Sequence, residues 1–125
     1  MTTVLIPAER RAGERRVAAT PETVRRLASL GCTCLIEAGA GLGAGYADAA
    51  YEEAGARVVI AEADTWHRAD AVLAVQLPPE ELLSALAPGA LLLGLLDPYR
   101  HLQPLQTLAA RQVSLLSLEL LPRIS

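Results

Sequence analysis

Short apolar runs alternate with amphipathic stretches along the whole chain. Residues 3–6, 33–36, 57–60, 71–75, 90–96 and 113–118 are dominated by Val, Ile, Leu and Ala, and runs of that length bounded by turn residues read as buried strands. Between them apolar residues recur three or four apart, as in Val24, Leu27 and Ala28; Ala50, Tyr51 and Ala54; Leu82, Leu83 and Leu86; and Leu102, Leu105 and Leu108. That spacing places each set on one face of a helix. Strands alternating with helices predict a parallel sheet with crossover helices. The unbroken apolar character of the last three runs predicts that both faces of those strands are covered.

The punctuation between the runs fits the same order. Thr20-Pro21 is a helix start, an N-cap with proline in the first turn, and Gly31 ends that helix. Asp48 is placed to cap a short helix that stops at Gly55, and residues 64–69 form a single turn whose Trp66 covers the sheet edge. Pro78-Pro79-Glu80-Glu81 opens a further helix with an acidic first turn, which suits the helix dipole. The reading is α/β: a flavodoxin-like, doubly wound parallel sheet of about six strands. No repeat or linker divides residues 1–125, which are read as a single domain. A doubly wound sheet would add a helix after the sixth strand, so this chain is expected to lack its last covering helix and to be part of a larger domain.

Composition narrows the class. With 125 residues, 52% hydrophobic and 20% charged, the chain can bury a core. Its net charge of −3 argues against nucleic acid or an anionic membrane as partner. No apolar run approaches the ~20 residues of a membrane helix, and the N-terminus has no basic leader, so the expected compartment is the cytosol. All 11 basic residues are arginines. Without lysine, Schiff-base and lysine general-base chemistry from this segment is excluded. Cys32 and Cys34 share one face of a strand and read as small buried hydrophobes. They lack Cys-x-x-Cys spacing, and His67 and His101 lie in unrelated segments, so no metal site is expected.

In an open α/β sheet ligands bind outside the carboxyl ends of the strands. This selects the loops at residues 7–20, 37–46, 76–79, 97–101 and 121–125. Four arginines cluster in Arg10-Arg11-Ala12-Gly13-Glu14-Arg15-Arg16. Arg16, just before a helix start, could hold a carboxylate or phosphate, and the plain alternative is a solvated basic loop. The glycine stretch Gly39-Ala40-Gly41-Leu42-Gly43-Ala44-Gly45 follows a strand but fails the dinucleotide fingerprint. Leu42 or Tyr46 stands where its third Gly or Ala is required. A turn bringing backbone close to another segment fits better. Asp97 and His101 could share a site around Pro98, against the plainer reading of a polar loop.

Several motifs together resemble one family. Ile6-Pro7-Ala8-Glu9, Glu14-Arg15-Arg16-Val17-Ala18-Ala19-Thr20-Pro21, Glu37-Ala38-Gly39-Ala40-Gly41, Tyr51-Glu52-Glu53-Ala54-Gly55-Ala56 and Glu119-Leu120-Leu121-Pro122-Arg123-Ile124-Ser125 are similar, in order, to the N-terminal region shared by alanine dehydrogenases and the alpha subunit of proton-translocating NAD(P) transhydrogenase. The Pro-Arg-Ile-Ser ending resembles the transhydrogenase branch. Alanine dehydrogenases carry a lysine and a histidine where this chain has Gln76 and Asp97, so the resemblance points away from deamination.

The resemblance implies an NAD(H)-binding alpha subunit that passes hydride to NADP(H) on a beta subunit, coupled to proton movement through a membrane domain. It implies Arg123, Ile124 and Ser125 at the nicotinamide pocket, Arg16 and Gln76 facing the same cleft, no catalytic acid or base, and no metal. Also implied are a homodimer of alpha subunits and a cytoplasmic location peripheral to the inner membrane. The family's Rossmann NAD-binding domain lies outside these residues, so the isolated chain is expected to be inactive. The alternatives are an alanine dehydrogenase relative with altered chemistry and a stand-alone binding module without catalysis.

Overall fold

The computed structural model describes residues 2–118. Strands β1 (Thr3–Ile6), β2 (Thr33–Glu37), β3 (Arg57–Val59), β4 (Ala71–Gln76), β5 (Leu91–Leu95) and β6 (Ser114–Ser117) alternate with helices α1 (Pro21–Ser29), α2 (Asp48–Glu53), α3 (Ala63–Arg68), α4 (Glu80–Leu83) and α5 (Leu102–Ala110). The strands form one sheet in the order β3-β2-β1-β4-β5-β6, and each neighbouring pair is parallel. This is the doubly wound arrangement expected. Without the short edge strand β3 the remaining strands follow the flavodoxin order 2-1-3-4-5; β3 extends it to the order of dinucleotide-binding sheets. In both descriptions the winding reverses between β1 and β4.

Side chains alternate across the sheet and build two cores. Leu5 of β1 faces one side with Trp66, Val72, Leu83, Leu86, Leu92 and Leu105. Val4 and Ile6 face the other with Val24, Cys34, Ile36 and Tyr51. All three β1 residues are at most 4% exposed, so β1 is sandwiched between helices.

The α1 start forms as its sequence predicts. Thr20 is the N-cap, its side chain accepts from the Thr23 N–H, and Pro21 occupies the first turn. Asp48 departs from expectation. Ala47 is the N-cap of α2, and Asp48 Oδ1 instead accepts from the Gly39 N–H at 2.9 Å, tying α2 to the glycine stretch. Trp66 is fully buried in the same cluster as Leu5 and Val72, so it covers the central strands rather than the edge. Leu102 is 58% exposed, because it opens α5 while Leu105 and Leu108 take the inner face.

One expectation about β5 and β6 fails. Leu73, Leu93 and Leu116 sit side by side in the parallel register. Leu93 and Leu116 belong to neither core cluster, and Leu116 and Leu118 are exposed. Among the described residues this half of the sheet is therefore covered on one face only. An apolar run reports strand and burial together and does not say which segment supplies the cover.

Candidate functional site

The carboxyl ends of β1 and β4 lie side by side at the winding reversal, and the loops leaving them form the candidate site. The 7–20 loop is fastened there at several points. Glu37, ending β2, accepts from the Ala8 N–H at 3.0 Å and pairs with Arg10 at 2.8 Å. Glu9 accepts from the backbone N–H groups of Val75 and Gln76, both at 2.9 Å. Those groups are available because the β4–β5 register shifts between Leu73 and Gln76, a bulge that removes them from the ladder. Gly94 makes the bulge possible, since a Cβ there would collide with the Ala74 carbonyl oxygen.

The glycine stretch buttresses the same loop. A Cβ on Gly43 would meet the Arg15 carbonyl oxygen at 3.0 Å, and one on Gly41 would meet Tyr51 Cε2 at 2.5 Å. Most of its backbone N–H groups are committed within the molecule. Leu42 donates to Gly39, Ala44 and Tyr46 both donate to Gly41, and Gly45 donates to Leu42. With those donors committed and Gly43 against the Arg15 backbone, the stretch is a packing turn and offers no phosphate cradle.

At the centre a relay of four side chains crosses between the loops. Arg11 Nη1 donates to Gln76 Oε1 at 3.0 Å, and Gln76 Nε2 donates to Glu14 Oε1 at 2.9 Å. Glu14 takes Arg16 in a fork, from Nε and Nη2 at 2.9 Å each, and also accepts from the Arg16 backbone N–H at 3.0 Å. The hydrogen bond from the Arg16 side chain, followed by that from Gln76, holds the Glu14 carboxyl down at about 2. The same carboxylate pushes Arg16 above its usual value.

Arg16 and Gln76, the two cleft residues predicted from sequence, are thus brought together through Glu14. Sequence reading missed Glu14 and Glu9 as the residues that place them. The available signal was two carboxylates interleaved in an arginine-rich loop, where mutual neutralisation is the cheapest arrangement. Arg123, Ile124 and Ser125 lie outside the described residues. Asp97 adopts φ 47° and pairs with Arg100 at 3.5 Å, while the His101 ring bonds the Leu96 carbonyl oxygen at 3.1 Å.

Two cavities flank the relay. One, of about 210 Å³, is lined by Pro7, Glu9, Arg11, Gln76, Pro78 and Pro79. The other, of about 300 Å³, is lined by Arg16, Val17, Leu73, Leu93 and Leu118 among others. Sites enclosing a whole drug-sized molecule run to roughly 300–1,000 Å³, so the first cavity falls below that range and the second only reaches its lower bound. Arginine and amide donors beside apolar side chains suit a polar ligand with an apolar part.

The family description "Alanine dehydrogenase/PNT, N-terminal domain" matches residues 5–125. The chain belongs to this family. It is 36% identical over 127 aligned positions to the first section of the NAD(P) transhydrogenase alpha subunit of Rhodospirillum rubrum, covering 98% of this chain and 33% of that one. The transhydrogenase structure from Sinorhizobium meliloti superposes with a TM-score of 0.91 at 37% identity, covering 98% of this chain and 36% of that one. An L-alanine dehydrogenase structure follows at 0.84 and 31%, covering 93% of this chain and 32% of that one. The chain therefore spans about a third of the length of these relatives. Among the described residues no helix is long and apolar enough to cross a membrane.

Proposed function

We propose that this domain is part of the NAD(H)-binding alpha subunit of a proton-translocating NAD(P) transhydrogenase, with NADP(H) on a beta subunit and proton movement in a membrane domain. The observation that carries this reading over alanine oxidation is Gln76. Its amide is held between Arg11 and Glu14 and can neither give nor take a proton, and residues 1–125 hold no lysine, so an alanine dehydrogenase relative would need a lysine or histidine from outside them. Deaminating an amino acid requires such a group. Direct hydride transfer between two nicotinamides requires only that they be held in contact.

When bound, the cofactor supplies the hydride; the protein supplies position. Arg16 and Gln76 stand on the cleft wall as hydrogen-bond donors. Arg123, Ile124 and Ser125 are proposed at the nicotinamide end. Residues 1–125 are the N-terminal part of the domain, and the dinucleotide-binding Rossmann domain, a second alpha subunit and the beta subunit complete an assembly that sits in the cytoplasm against the inner membrane. The isolated 125-residue chain is then inactive.

The test is hydride transfer from NADH to an oxidised NADP analogue by the complete subunit mixed with its beta subunit, beside alanine-dependent reduction of NAD. Transfer without alanine oxidation is expected. Alanine oxidation without transfer would overturn the reading in favour of an alanine dehydrogenase relative. In the same subunit Arg123→Ala is expected to weaken NADH binding with unchanged folding, and unaltered affinity removes Arg123 from the pocket.

A further inference from the structure

Among the described residues, Glu14 is the one that touches both predicted cleft side chains, and its own side chain is only 8% exposed although Arg16 is 61% exposed. Its two oxygens accept three side-chain donors: the Arg16 fork and the Gln76 amide. The relay also fixes which way the Gln76 amide points. Arg11 donates to its oxygen and Glu14 accepts from its nitrogen. Turning the amide over would set its oxygen against a carboxylate and its N–H₂ against a guanidinium, losing both bonds and adding two repulsions. Gln76 is therefore locked with one N–H spent on Glu14 and a second to spare. Arg16 likewise spends Nε and Nη2 on Glu14 and keeps the Nη1 donors of its guanidinium for another partner. What remains are donors on two side chains whose rotamers a single carboxylate has set, Gln76 lining one flanking cavity and Arg16 the other.

We propose that Glu14 is a positioning residue of the cleft: it holds Gln76 toward one flanking cavity and Arg16 toward the other, as hydrogen-bond donors to acceptor groups of the bound nicotinamide nucleotide. The proposal rests on the cofactor reading above and adds the chemistry of the groups recognised, acceptor oxygens. Glu14 touches no ligand itself. Its contribution is to remove the freedom of two long side chains before binding, so that less ordering remains to be done when the ligand arrives. A carboxylate does this better than an amide, because charge-assisted hydrogen bonds are roughly twice as strong as neutral ones and only a carboxylate accepts the guanidinium fork without presenting a competing donor.

The test uses the complete subunit and NADH as the probe. Affinity is measured by fluorescence and stability by thermal unfolding for wild type, Glu14→Gln, Glu14→Asp, Arg16→Gln, and Glu14→Gln combined with Arg16→Gln. Glu14→Gln should bind NADH about tenfold more weakly, and Glu14→Asp, which keeps the charge but sets the fork one methylene short, about threefold more weakly. Adding Glu14→Gln to Arg16→Gln should cost clearly less than it costs alone, since the two act as one unit. A merely structural role would leave NADH affinity and the coupling unchanged, whatever Glu14→Gln loses in unfolding temperature; that result overturns the positioning role and leaves the cofactor reading standing. If Glu14→Gln fails to fold, Glu14→Asp decides: weaker NADH binding at unaltered unfolding temperature supports the proposal, and unaltered affinity overturns it. A wild-type subunit that binds no NADH overturns both, and the absence of wild-type binding distinguishes that case.

Discussion

The Tyr51 hydroxyl donates to the Ala19 carbonyl oxygen at 2.7 Å across 32 residues of sequence, joining α2 to the segment that leads into α1. Tyr51 is fully buried, and burial above all pushes its hydroxyl up to about 12. The bond secures the far end of the arginine loop just as Glu37 secures its beginning.

Tyr51→Phe keeps the ring and leaves the Ala19 carbonyl without this donor. The expected cost is about 1–2 kcal/mol, the usual range for a buried acceptor stripped of its partner. Urea unfolding monitored by circular dichroism measures it. A variant as stable as wild type would show that water replaces the hydroxyl without loss.

Gly41 and Gly13 separate two reasons for glycine. At Gly41 a Cβ would fall 2.5 Å from Tyr51 Cε2 and 2.9 Å from the Tyr46 carbonyl oxygen, and backbone cannot retreat as a side chain can. Gly13 has φ +82° and open space around its Cβ position. Gly41→Ala should cost about 2–3 kcal/mol through overpacking, and Gly13→Ala about 1 kcal/mol through left-handed backbone strain alone. Paired urea titrations check the order, and equal costs would refute the distinction.

The strands, the α1 cap and the parallel order were legible because each is written locally: Thr20-Pro21 carries its own cap, and residues 3–6 carry their own burial. The cover of β5 and β6 was not, because Leu93 and Leu116 look the same in sequence whether a helix lies over them or not. The cleft was half legible. Arg16 and Gln76 could be placed by the carboxyl-end rule and the family resemblance. The Glu14–Arg16 pair was within reach, two residues apart, but the ties of Glu9 and Glu14 to β4 were not, because those partners lie 66, 67 and 62 residues away and only the β1–β4 pairing brings them together. Asp48 was misassigned because a carboxylate at a helix start serves equally as a cap or as a tie to another segment.

The open leucine row has an energetic signature that differs from that of the core. Leu92, on the covered face of β5, is fully buried, whereas Leu116 on β6, beside Leu93 on the other face, is 37% exposed. Leu92→Ala should lose about 2–5 kcal/mol, a large part of the stability of a domain this size. Leu116→Ser should lie within about 0.5 kcal/mol of wild type in the 125-residue chain. A large loss at Leu116 would mean that some segment covers that face in solution.

The Glu14 carboxylate gives a defined acid dependence. Its folded value of about 2 lies below the ordinary value of 4.5, so the folded state favours the ionised form. A depressed carboxylate contributes stability that is complete above the unfolded value and is lost as pH falls through the folded one. The window is therefore between about 4.5 and 2, with stability decreasing toward acid. Because its partner Arg16 is 61% exposed, solvent screening limits the contribution to about 1–2 kcal/mol. Urea unfolding at about pH 6 and about pH 2.5 should show wild type ahead of Glu14→Gln by that amount at the higher pH and by less than half of it at the lower. A gap that stays constant across the window would mean that shape, and not charge, is what Glu14 brings to the loop.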